Sequence, residues 1–302
     1  QVNTKLMFQK AYEGGYAIPA FNFVSIEQFN GIMDAVIEKR SPVILLASPN
    51  LHKQLGYEML ARIVQSGTDR IRNAGLDIPV ALHLDHGMTF AQCVDAVEFG
   101  FSSIMIDGSA LPFKENAALT KKTVEYAHRH GEDGDEGHHE SLYTDPAMVE
   151  EFVGETGCDS LAISIGTCHG LVKIKANPDG SLPELRYDIL EDVMRRVPGF
   201  PIVLHGASTI EPRFVDMINS YGGHIEAVAG IPEEQVTKAA GMGVCKVNIA
   251  TDGWISALAN TRKILAENPG AIDSRVFTLK NRGLLKEIYL HKIDVMGSAN
   301  KA

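Results

Sequence analysis

The chain has 302 residues, 45% of them apolar, 22% charged and 7% aromatic, the balance of a globular protein built as two average domains or as one large α/β barrel. Lys and Arg number 28 against 38 Asp and Glu, a formal net charge of −10. That argues against nucleic acid as the main partner and leaves room only for a local pocket that takes a small anion.

Short apolar runs with β-character predict strands over 16–23, 41–48, 78–85, 102–107, 160–166, 201–205 and 244–249. Longer amphipathic stretches separate them. In 26–39, Ile26, Phe29, Ile32, Met33, Val36 and Ile37 share one face, with Ser25 placed to cap the first turn. This alternation predicts parallel βα units in one domain, a TIM (β/α)8 barrel. A doubly wound sheet is disfavoured, because no G-x-G-x-x-G follows the first strand. Seven strands leave the barrel one short. A helix over 116–130 should feed another strand, but Glu132-Asp133-Gly134-Asp135-Glu136-Gly137-His138-His139-Glu140 follows. Burying those charges unpaired would cost several kcal/mol, so 132–140 reads as a loop with His138 and His139 facing water. The expected remedy is a further segment between Gly131 and Glu132 that carries the missing strand.

The four cysteines, Cys93, Cys158, Cys168 and Cys245, stand far apart and predict reduced thiols in the cytoplasm. Apolar runs such as 42–47 fall far short of the ~20 residues that span a bilayer, and residues 1–6 carry no signal-peptide pattern. No membrane partner is expected.

In a parallel barrel the reactive groups sit at the C-terminal strand ends. Three such ends carry histidine followed by glycine: His86-Gly87, His169-Gly170 and His205-Gly206. Three imidazoles from separate strands suit Zn²⁺ with an open coordination position, the arrangement a Lewis acid needs. Taken singly, each could merely end its strand. Asp85 can orient a ligand or move a proton, or simply cap a turn, and Asp107 reads equally as a residue bonded to a metal ligand or as a reactant. His83 shares the parity of Asp85 but lies one layer deeper, in a packed role. Gly206-Ala207-Ser208 and Asn248-Ile249-Ala250-Thr251 follow the last two strands, where barrels cradle phosphate with backbone N–H groups. Cys168 is expected to take no part in covalent chemistry.

Ala20-Phe21-Asn22, Ser41-Pro42-Val43-Ile44, Leu84-Asp85-His86-Gly87, the run 100–109 ending Asp107-Gly108-Ser109, Ile165-Gly166-Thr167-Cys168-His169-Gly170, Leu204-His205-Gly206-Ala207-Ser208 and Val247-Asn248-Ile249-Ala250-Thr251 together resemble the class II, zinc-dependent ketose-bisphosphate aldolases. The resemblance runs nearly end to end. It implies that His86, His169 and His205 bind Zn²⁺, which polarises the C2 carbonyl of dihydroxyacetone phosphate, and that Asp85 is the acid/base at the C4 oxygen. It implies substrate contacts from Asn22, Ser48, Gly170, Gly206, Ala207, Ser208, Asn248, Ile249, Ala250 and Thr251, with a monovalent cation (Na⁺ or K⁺) nearby and a homodimer or homotetramer as the assembly.

Three departures qualify it. Of the family's fifth strand and its mobile loop only Glu132-Asp133-Gly134 remains, which makes Glu132 the candidate for the carboxylate that exchanges the C3 proton. Ala250 and Trp254 stand where many fructose-bisphosphate members carry Asp and the Arg that meets the C6 phosphate. The loop 47–53 also differs, and its Lys53 could serve that phosphate instead. Fructose 1,6-bisphosphate is the default substrate. Tagatose 1,6-bisphosphate suits Ala250, and 6-deoxy-6-sulfofructose 1-phosphate suits Trp254. A non-catalytic metal-binding barrel and a metal-dependent hydrolase are the remote alternatives.

Overall fold

A computed structural model describes residues 1–136, 143–177, 179, 181–226 and 228–302. His138 and His139 lie outside the described residues. In chain order the elements are α1 (Lys5–Gly14), β1 (Ile18–Asn22), α2 (Ile26–Lys39), β2 (Val43–Ala47), α3 (Pro49–Leu55), α4 (Tyr57–Asn73), β3 (Val80–Gly87), α5 (Phe90–Glu98), β4 (Ser103–Ile106) and α6 (Phe113–Arg129). They continue with β5 (Asp133–Glu136), α7 (Pro146–Thr156), β6 (Ser160–Ala162), α8 (Tyr187–Arg196), β7 (Ile202–Leu204), α9 (Pro212–Ser220), α10 (Glu233–Gly241), β8 (Val244–Ile249), α11 (Thr251–Glu267) and α12 (Arg275–Val295). The eight strands run parallel and close into one barrel, β8 pairing back onto β1.

Strands covered on both faces need apolar residues on both, which is why β2 reads Val-Ile-Leu-Leu-Ala without alternation. Its odd-numbered residues pack outward against the helices, while Ile44 and Leu46 face the barrel interior with Ile18, Ala20 and Ala81. There Met7, Phe8 and Ala11 of α1 seal the N-terminal mouth. Higher in the barrel the inward positions turn polar: His83 and Lys246, then Asn22, Asp85 and Asn248. An apolar plug below and a polar layer above leave one mouth for chemistry. Among the helices, α2 begins as expected, the Ser25 hydroxyl accepting the Gln28 N–H.

The fifth strand corrects the sequence reading. The stretch expected to be a loop supplies β5, in register with β4 from Ser103↔Asp133 to Ile106↔Glu136 and with β6 through Asp135↔Ser160 and Glu136↔Leu161. The barrel thus closes without an added strand between Gly131 and Glu132. The charge that seemed too costly to bury has partners. Asp133 accepts from the Thr4 hydroxyl and the Lys5 N–H, both at 2.8 Å, and from the Thr4 N–H. These donors lie at the N-terminus of α1, where the helix dipole favours an anion. Gly134 lets β5 lie against α6, since a Cβ there would come within 3.0 Å of Val124.

Two other strands differ at their ends. β3 extends through His86 to Gly87 with a register shift after Leu84, whereas β6 stops at Ala162 and releases 163–170 toward the mouth. Replacing Asp133 with Ala should leave the α1 donors unpaired and destabilise the fold by about 2–4 kcal/mol. Urea denaturation measures this, and an unchanged midpoint would remove Asp133 from the account of how β5 is held.

Candidate active site

The C-terminal mouth gathers three imidazoles. His86 from β3, His169 from the loop after β6 and His205 after β7 place their ligating nitrogens within 4.8 Å of one another. His86 reaches in from a backbone with φ +59°, a conformation uncommon for a residue with a side chain and a mark of local strain. Thr167 donates its hydroxyl to the His205 carbonyl at 2.7 Å, tying the β6 loop to the end of β7. Gly206 (φ +65°) has to be glycine, since a Cβ would meet the Cys168 carbonyl at 2.6 Å.

The tautomers follow from the partners. His86 Nδ1 donates to Asp107 Oδ2 at 2.7 Å, which leaves Nε2 with its lone pair facing His205 Nδ1 at 3.2 Å. Asn248 donates from Nδ2 to His205 Nε2 at 3.1 Å and to Asp85 Oδ1 at 3.0 Å. Asn22 donates to the other oxygen, Asp85 Oδ2, at 3.0 Å. Two amides therefore clamp the Asp85 carboxylate, 3.9 Å from His86 Nε2.

Burial disfavours charge on His205 and His169, and the neighbouring His86 adds to it, so both sit below the ordinary imidazole range. Burial opposes charge on His86 as well, but Asp107 and Asp85 outweigh it and raise its pKa. Asp107 moves in concert: burial pushes it up, while the hydrogen bonds from His86 and Ser109 hold it at about 2. The donor set fits a divalent metal ion, which would occupy the space where imidazole lone pairs meet. Among the described residues the buried Asn248 Oδ1 atom has no partner, leaving an acceptor for a ligand.

The other expected residues divide. Ser208 and Thr251 are buried beside the mouth, and Gly170 turns with φ +102°. Ala207 and Ile249 point their side chains into the outer core, so they can offer only backbone. Ala250 caps α11, and the Ser48 hydroxyl accepts the Leu51 N–H at the start of α3. Trp254, on the first turn of α11, is 42% exposed. His83 lies one layer deeper, as expected, held by Ser103 at 2.8 Å and Lys246 at 3.0 Å.

Glu132 is not brought to the imidazoles. It precedes β5 at the mouth that α1 closes, roughly 13 Å of strand below the site. Burial and the adjacent Asp133 push its carboxyl up to about 7, but no imidazole of the cluster is near it. Residues with no signal in the sequence also enter. Lys173 is buried beside the loops, its pKa lowered by burial against the pull of Asp252, and its amine has no hydrogen-bond partner among the described residues. Asp252 accepts the N–H groups of Thr209 and Ile210.

A closed parallel barrel with three imidazoles and a clamped carboxylate at its C-terminal mouth fits a metal-dependent enzyme. The family model for class-II fructose-bisphosphate aldolase matches residues 2–301, and the chain belongs to that family. It is 46% identical to the fructose-bisphosphate aldolase of Treponema pallidum (strain Nichols), covering 100% of this chain and 97% of the relative. To that of Giardia intestinalis it is 36% identical over 98% and 93%. Its fold matches the crystal structure of the YdjI aldolase from Escherichia coli K12 with a TM-score of 0.81 at 30% identity, covering 100% and 99% of the two chains.

Asp107 touches only His86 among the three imidazoles, so Asp107→Ala should weaken metal binding by about 10–100-fold without removing a ligand. Competition with a chromogenic chelator measures it. Unchanged affinity would mean that the Asp107 bond does not orient His86.

Proposed function

We propose that this chain reversibly cleaves fructose 1,6-bisphosphate to dihydroxyacetone phosphate and an aldehyde, with Zn²⁺ held by His86, His169 and His205. The observation that carries the reading is the convergence of those three imidazoles on a carboxylate, Asp85, that two amides aim from opposite sides. Bound there, Zn²⁺ supplies Lewis-acid polarisation of the substrate carbonyl. Asp85 takes the proton from the C4 hydroxyl as the carbon–carbon bond breaks and returns it to the aldehyde oxygen in condensation. Asn22 and Asn248 hold that carboxylate in one orientation, so little reorganisation accompanies the transfer. No imine is needed, and the buried Lys246 amine is engaged by His83.

The phosphate of the dihydroxyacetone half is bound by Gly170, Gly206 to Ser208 and Asn248 to Thr251. The α11 N-terminus offers free N–H groups there, and the Lys173 amine adds a cation from the β6 loop. The C3 proton passes to a carboxylate other than Glu132. At the other end of the substrate, Trp254 presents an exposed indole and no cation, which favours a second reading with a group other than phosphate on C6. Cytoplasmic residence is supported by the thiols of Cys93, Cys168 and Cys245, which form no disulfide among the described residues. Among the described residues, no helix is long and apolar enough to cross a membrane. A homodimer or homotetramer is supported by the exposed stripe Trp254, Leu258 and Leu265 on α11.

A coupled assay for dihydroxyacetone phosphate, run with fructose 1,6-bisphosphate, tagatose 1,6-bisphosphate and 6-deoxy-6-sulfofructose 1-phosphate, tests the reading. At least one should be cleaved, and Asp85→Ala should lower kcat by about 10²-fold or more while substrate still binds. No release from any of the three, or an unchanged kcat in the variant, would overturn it.

A further inference from the structure

The loop that follows His205 is held by an ion cluster outside the barrel. Lys292 of α12, 2% exposed, donates to Glu233 of α10 at 2.6 Å and to the Thr209 hydroxyl at 2.9 Å, and lies 3.4 Å from Asp252 of α11. Asp252 in turn accepts the Thr209 N–H at 3.2 Å and the Ile210 N–H at 2.7 Å. Three helices therefore meet at the two residues after Ser208, α11 and α12 directly and α10 through Lys292.

Ile210 shows why such a cluster is needed. Its φ of +54° is strained for a β-branched residue, and such a backbone persists only where surrounding contacts over-determine it. Its side chain packs in an apolar cluster with Phe214, Val215 and Ile255, and the charged cluster adds the polar restraints on its backbone. A cleft of about 730 Å³, lined in part by Thr209, Glu233 and His291, opens beside this segment. On the other flank, Gly230 presses so closely on the Thr209 carbonyl that no side chain would fit, and Ile231 N–H bonds to the Ser208 carbonyl at 3.0 Å. Ala229 joins the same strip to the β6 loop, accepting the Lys173 N–H and donating to the Leu171 carbonyl. The segments bearing Gly170, Lys173, Ser208 and Thr251 are thus registered through Thr209 and its partners.

We infer that Lys292 is a positioning residue for phosphate recognition: through Thr209, Asp252 and Glu233 it sets the Gly206–Ser208 loop against the α11 N-terminus without touching substrate. The inference rests on the reading of that loop as the phosphate site. The ligand chemistry is a phosphate monoester dianion, for which inorganic phosphate is the probe.

The test uses the full chain loaded with metal. Lys292→Met should raise KM for the cleaved substrate and the inhibition constant of inorganic phosphate together, each about tenfold, while kcat stays within about twofold and the metal content is unchanged. Thr209→Val, which removes only the hydroxyl that Lys292 meets, should move the same two constants in the same direction and decides the matter if Lys292→Met does not fold. A lowered melting temperature with both constants at the parent value would show a merely structural lysine and overturn the inference. Ser208→Ala separates the two levels. If it raises both constants while Lys292→Met and Thr209→Val do not, the positioning role alone fails. If it moves neither, the loop is not the phosphate site, and this inference falls with that reading.

Discussion

His86 Nε2 and His205 Nδ1 face one another across 3.2 Å inside the barrel mouth, close enough to share one proton in an N–H···N hydrogen bond. Such a bond joins only two of the three converging rings, His169 being the third. A metal ion satisfies all three imidazoles together. The surrounding structure serves that requirement. Asp107 takes the one His86 nitrogen that must not face inward, Thr167 fixes the His205 backbone, and Gly206 allows the two histidine-bearing loops to cross at van der Waals contact.

The barrel supplies the frame by layering. Inward positions along β3 and β8 rise in parallel, so His83 and Lys246 meet across the interior one layer beneath Asp85 and Asn248. Both contacts are 3.0 Å, and the lower one holds the two strands at the spacing the upper one needs. Below them the apolar plug of α1 excludes water from the other mouth. The polar layer is buried yet partnered, and within it the Asn248 Oδ1 atom, unpartnered among the described residues, lies where a ligand enters.

The reactive strand ends were legible in the sequence because they are local: His86-Gly87, His169-Gly170 and His205-Gly206 each announce a strand that stops on a possible ligand. Asp85 and Asp107 were legible by adjacency to those ends. The fifth strand was not, because its charge looked unpayable within its own stretch. The donors that stabilise Asp133 come from Thr4 and Lys5, far away in the chain. Glu132 shows how placement along a strand decides which mouth a residue reaches. A fragment resembling the family's loop fell on the strand's entrance rather than its exit, and a shift of one strand length moves a residue to the opposite mouth. Lys173 and Lys292 carried no signal, since a lysine acquires meaning only from the carboxylates and loops packed around it.

The central claim is that the three imidazoles act through one bound metal ion. The most direct measurement titrates metal-stripped protein with Zn²⁺ and follows dihydroxyacetone phosphate release against bound metal, in the parent and in His205→Ala. Activity should be absent without metal, rise linearly and level off when the His86, His169 and His205 site is filled, and fail to return in the variant. Full cleavage by protein verified to be free of metal would contradict the account.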